Sequence, residues 1–138
     1  MRSFLLCLLA SPAAAWDFTP GDICLLGDVQ GGLSIELTHD PSQPLYSITL
    51  RRDTPWPEAP VFGIAFANGP TITTNRHVLS EGGQALTVTD RGFGNVIDGL
   101  AAGGTALALV GDDVEEFSLE GAAEPAEAFA ACKPFVAA

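Results

Sequence analysis

The sequence predicts a mainly β domain, an antiparallel β-sandwich or barrel-like sheet with a short C-terminal helix. Three observations carry this expectation. From residue 33 onward apolar and polar residues alternate with period two, which sends successive side chains to opposite faces of a strand. Gly, Pro, Asn and Asp punctuate the alternation at intervals of about 8 to 12 residues, the rhythm of short strands joined by tight turns. The final stretch "EPAEAFAAC" abandons the alternation for a proline-led run of Ala, Glu and Phe, which suits a helix.

The first fifteen residues, "MRSFLLCLLASPAAA", are expected to be a secretory signal peptide. Arg2 supplies a positive start, Phe4 to Ala10 an apolar run, and Ala13-x-Ala15 a small-residue cleavage site after Pro12. The run is too short to span a bilayer. Cys7 would leave with it, and the mature chain would begin near Trp16 as a single domain over residues 16–138.

Strands are expected in order. In "LSIELTH" Leu33, Ile35 and Leu37 share a face; in "LYSITLRR" Tyr46, Ile48 and Leu50 point inward; in "VFGIAFA" Phe62, Ile64 and Phe66 do so. Asn68-Gly69 reads as a type I′ hairpin turn, because both residues tolerate positive φ, with "TITTNRH" as the returning strand. His77 then falls at an exposed strand end, as does His39 before "DPSQP". Glu81-Gly82-Gly83 turns the chain into "ALTVTD", with Leu86 and Val88 inward. The glycine-rich "RGFGNVIDGLAAGG" is expected to be an irregular interruption in which no helix begins. "TALALV" and "VEEFSL" form a hairpin around Gly111-Asp112-Asp113, placing Phe117 and Leu119 in the core. The closing helix starts with Pro125 at its first position, packs Phe129 on the sheet and delivers Cys132 to a partner.

That partner is expected to be Cys24. Two cysteines remain after processing, and in an oxidising compartment an even pair is most simply a disulfide. It would close a loop of about 109 residues, which chain-entropy bookkeeping values at about 4 to 5 kcal/mol as an upper figure. No Cys-x-x-Cys is present to make a reactive thiol.

Charge removes several function classes. The chain has 6 basic and 17 acidic residues, a formal charge of −11 that becomes −12 once Arg2 departs. Such a body is repelled by nucleic acid phosphates and anionic lipid, so neither is expected as a partner. "RGFGNVIDG" lacks the Gly-Lys-Ser/Thr of a phosphate loop. With two histidines and both mature cysteines assigned to each other, no zinc site is expected. Asp112, Asp113, Glu115 and Glu116 crowd one hairpin tip, but without the spaced Asp-x-Asp-x-Asp-Gly loop they read as solvated charge. No cofactor or metal is expected.

Two stretches carry candidate function. "TTNRHV", with "TALALV" further on, resembles the catalytic-histidine region of trypsin-fold peptidases, laid alongside roughly residues 69 to 110. The resemblance implies His77 as general base. The acid's position falls at Thr105, the later serines Ser80 and Ser118 lack a Gly-x-Ser-Gly setting, and the chain is too short for a second barrel. The hydrolase is therefore the alternative reading, and the expectation is a non-enzyme. The second stretch, "RRDTPWPEAP", holds Trp56 between prolines. It reads as a lid on one end of the sandwich, or, with Arg51 and Arg52, as the contact patch for a protein partner in the cell envelope.

The ending "FSLEGAAEPAEAFAAC" resembles the C-terminal part of invasion-associated locus B-like envelope proteins, and "LTVTDRGFGNVIDGL" is similar to a segment of small secreted proteins of Gram-negative bacteria. The resemblance implies a periplasmic or secreted, non-catalytic, protein- or ligand-binding domain.

Overall fold

The computed structural model describes residues 16–132; the leader expected over residues 1–15 lies outside them. Among the described residues ten strands form two antiparallel sheets. The first sheet runs in the order β1 (Asp17–Thr19), β2 (Cys24–Gln30), β3 (Leu33–Asp40), β4 (Leu45–Arg51), β8 (Ala85–Asp90), β7 (Val78–Ser80). The second runs β10 (Asp113–Ser118), β9 (Thr105–Val110), β5 (Phe62–Phe66), β6 (Thr71–Thr74). Helices α1 (Gly94–Ala101) and α2 (Ala123–Ala130) touch each other, and α2 also packs on β1 and β2. The chain is a sandwich-like, mainly β domain with the short C-terminal helix its sequence predicts. Among the described residues no helix is long and apolar enough to cross a membrane.

The alternation works as expected where one face of a strand is dry. Along β3, Leu33, Ile35, Leu37 and His39 are buried while the residues between them are half-exposed. Ile48, Leu50 and Leu86 carry that layer across the first sheet, and Ile64, Ala106, Ala108, Val110 and Phe117 answer it from the second. Small alanines on β9 let the sheets approach, and the larger residues opposite fill the space. Two hairpins use two-residue turns with positive φ at the first residue only. Gly31 (φ 58°) joins β2 to β3, and Gly111 (φ 60°) joins β9 to β10. That is glycine's position in a type II′ turn.

Several expectations are corrected. The sheet begins earlier than residue 33, because β1 and β2 precede the first clear alternation. In β2, Leu25 and Asp28 break the alternation, and only glycine fits at position 27, where a Cβ would sit 2.6 Å from the Ile35 carbonyl oxygen of β3. The glycine-rich stretch is not irregular throughout but contains α1. Val96, Ile97 and Leu100 bury one side of that helix, and Gly99 lies flat on the Phe66 ring. The hairpin between β5 and β6 exists, yet neither Asn68 nor Gly69 has positive φ. Its loop is four residues long, the Gly69 N–H donating to the Phe66 carbonyl, and Gly69 is needed because α1 passes at Gly99. "TITTNRH" is not one strand. β6 ends at Thr74, the chain crosses between sheets through residues 75 to 77, and β7 belongs to the other sheet. α2 starts at Ala123, so Pro125 is its third residue rather than its first.

Cys24 opens β2 and Cys132 lies just past α2; they are joined by a disulfide, with Cα atoms 6.5 Å apart. The other end of the described chain is held too. Trp16 is buried, and its indole N–H donates to the Ser118 carbonyl at 3.1 Å.

Candidate functional site

The loop after β4 resolves the two readings of Trp56. Its ring is only 3% exposed, and its indole N–H donates to the Leu50 carbonyl at 3.1 Å. The Trp56 backbone N–H donates to the Gly83 carbonyl at 2.8 Å. Arg52 lies over the indole face, 3.7 Å from the ring centroid. It reaches Asp113 at 2.5 Å and Glu115 at 3.0 Å on β10, with its side chain 11% exposed. The tryptophan is therefore a lid under a cation clamp, and the exposed aromatic contact patch expected from Trp56, Arg51 and Arg52 is not formed. Arg51 is tied elsewhere, to Glu81 at 3.1 Å and Glu36 at 4.0 Å. The hydrogen bond to Glu81 raises the Arg51 pKa. The clamp also accounts for part of the acidic hairpin tip, since Asp113 and Glu115 are engaged with Arg52. Among the described residues no three of His, Cys, Asp or Glu gather at metal-holding distance.

Both histidines depart from the exposed strand ends expected for them. His77 sits in the crossover between sheets, half-buried against Phe62, and its Nε2–H donates to the Ala59 carbonyl at 3.0 Å. That bond commits the proton to Nε2. Nδ1 is buried with no partner, and no serine hydroxyl or carboxylate hydrogen-bonds the ring among the described residues. His39 is 7% exposed and stacks on Tyr46 at 3.9 Å, nearly parallel, with Phe129 edge-on at 6.3 Å. Phe93 continues the stack beyond Tyr46 at 5.5 Å. Burial lowers the His39 pKa, the neighbouring Asp40 opposing it in part, and Nδ1 of His39 also lacks a partner.

A cleft between the sheets is an arrangement that sequence reasoning missed. Between the sheets, on the side where β6 is the free edge, a cleft of about 480 Å³ opens to solvent. Ile48 and Val88 form one wall, Phe62, Ile64 and Ile72 the other, and the first turn of α1 closes one part of it. The volume lies in the range of small-molecule sites, which are typically concave, mainly apolar and furnished with few polar groups. Here those groups are Thr73, Thr74, Arg76, Asp90 and Asn95. Arg76 and Asp90 are exposed and form no ion pair with each other or with any described residue. The first three N–H groups of an α-helix have no partner within it, and α1 has no side-chain cap and no acid in its first turn. Its positive end thus faces the cleft unneutralised.

Only part of this was within reach of the sequence. Val96, Ile97 and Leu100 follow helical spacing inside the glycine-rich stretch, and that signal marks α1. Nothing local marks Arg76 and Asp90 as lining one cleft, because the cleft arises between strands of different sheets.

Fold and site together define a disulfide-closed, sandwich-like β domain with an open cleft of mixed apolar and polar lining. Comparison with family models, curated proteins and solved structures finds no match.

Proposed function

We propose that this chain is a non-catalytic binding domain of the bacterial envelope, periplasmic or secreted, and that it binds its ligand in the cleft between the sheets. The observation that carries the reading is the cleft itself, a concave space lined by residues of both sheets and open at the β6 edge. The Cys24–Cys132 bridge supports an oxidising compartment. So does the likeness of the C-terminal segment to invasion-associated locus B-like proteins. Trp16, the residue at which the mature chain is expected to begin, is already locked into the fold. The site differs from the patch proposed from sequence around Trp56, because that tryptophan is consumed by the core.

The test is a titration with Nile red, an uncharged apolar dye that fluoresces on leaving water. Saturable binding at one dye per chain is expected for the wild type and its loss for Ile72→Trp, which fills the cleft from its half-exposed wall. An unchanged titration in the variant would place the dye elsewhere. Stoichiometric labelling of the wild type by an active-serine probe would instead favour the hydrolase alternative at His77.

A further inference from the structure

The charges around the cleft define its ligand more narrowly, an inference that rests on the binding reading above. We infer that the cleft takes a small organic anion with an apolar body and one carboxylate, the carboxylate paired with Arg76.

The described residues contain four arginines, Arg51, Arg52, Arg76 and Arg91. Arg51 and Arg52 each hold two carboxylates, whereas Arg76 and Arg91 hold none among the described residues. Of these two, Arg76 lines the cleft. It is placed there by the crossover: β6 ends at Thr74, whose hydroxyl oxygen accepts the Arg76 backbone N–H at 3.0 Å and turns the chain at the rim. The guanidinium is a fork of donors suited to a carboxylate. The uncapped start of α1 adds positive potential to the same space. Opposing both is Asp90, which lines the cleft while its Oδ1 accepts the Arg91 backbone N–H at 2.7 Å. One anion and one cation at the rim, with Ile48, Phe62, Ile64, Ile72 and Val88 behind them and Thr73, Thr74 and Asn95 between, suit a single charged head on a largely apolar body. They do not suit a polyanion, which Asp90 and the overall charge would repel. The volume of about 480 Å³ admits a body of several methylene groups or one large side chain, and not a longer polymer.

Such a carboxylate has two chemical sources, a medium-length acyl chain or the end of a peptide with an apolar last residue. Octanoate and N-acetyl-leucine represent them. Octanol and N-acetyl-leucine amide are the uncharged counterparts. Calorimetric titration of the full oxidised domain at low salt is expected to show each carboxylate binding about tenfold or more tightly than its neutral counterpart, the range of a charge-assisted hydrogen bond. Arg76→Gln, on an exposed residue that no packing depends on, should erase that preference and leave the neutral compounds unchanged. Asp90→Asn should raise carboxylate affinity. Which of the two carboxylates binds more tightly identifies the source.

Equal binding of charged and neutral compounds, or an undiminished preference in Arg76→Gln, would overturn the carboxylate and leave the cleft as a site. Binding of none of the four compounds, together with loss of dye binding by the wild type, would remove the cleft as a site altogether. Tighter binding of free leucine than of its N-acetyl form would shift recognition to Asp90 and likewise contradict the inference.

Discussion

His39 shows how a single buried polar atom sets the response of this domain to acid. Its imidazole is enclosed by Tyr46 and Phe129, and one ring nitrogen has no hydrogen-bond partner. Burial disfavours the imidazolium, so the folded pKa is below 6.5. The sign follows from proton counting. Below pH 6.5 the unfolded chain binds a proton that the folded chain refuses, so stability falls as pH drops toward the folded pKa and stops falling beneath it. At neutral pH the group costs nothing through this route. The expected outcome is a urea midpoint lower at pH 5.5 than at pH 7.5, and a smaller difference in His39→Phe, which keeps the stack on Tyr46 and cannot titrate. An identical difference in both proteins would assign the acid response to other groups. His39 also shows what sequence conceals at this scale. A histidine before "DPSQP" reads as a strand end in water, and only the arrival of Tyr46 across the ladder and Phe129 from α2 encloses it. Trp56 follows the same rule, since whether an aromatic between prolines is anchor or lid depends on Gly83, which accepts its backbone N–H, and on Asp113 and Glu115, which fix Arg52 over its ring from β10.

Among the elements, α1 decides the shape of the cleft and depends on Gly99. A Cβ at this position would collide with the ring of Phe66, a buried residue with no room to move. Two effects compete in Gly99→Ala. Helix propensity favours alanine by about 1 kcal/mol, while overpacking a dense core costs about 1 to 3 kcal/mol. The collision with a core ring should win, giving a net loss of up to about 2 kcal/mol. Gly94→Ala, at the first position of the same helix with open space around it, should be neutral or stabilising by about 0.5 kcal/mol. Denaturant midpoints of the two variants check this, and a stabilised Gly99→Ala would show that α1 is not seated on Phe66. The strands β3, β4, β5, β8, β9 and β10 were legible because each has one dry face. β2 and α1 were not: in β2 Leu25 and Asp28 break the alternation, and in α1 a glycine, Gly99, stands where a larger residue would have completed the pattern. Gly27 is required by the Ile35 carbonyl and Gly99 by the Phe66 ring. These are long-range reasons written as a local absence.

For the molecule as a whole, the disulfide and the two-sheet architecture were legible, and the cleft was not. Cysteine number and strand alternation are properties of composition and periodicity. A cleft is a failure of two sheets to cover each other, and it depends on which strand ends at which edge. Here the second sheet has four strands against six in the first. Its edge strand β6 is four residues long before the chain crosses over, and α1 covers only part of the gap. Arg76, which sequence reading passed over beside His77, stands at that crossover. The measurement that tests the cleft as the binding site most directly is a nitrogen–proton chemical-shift map of the oxidised domain titrated with octanoate. Shifts are expected to concentrate on β6, residues 75 to 77, the end of β8 and the first turn of α1. Shifts confined to residues 51 to 56, or no shifts at saturating octanoate, would contradict it.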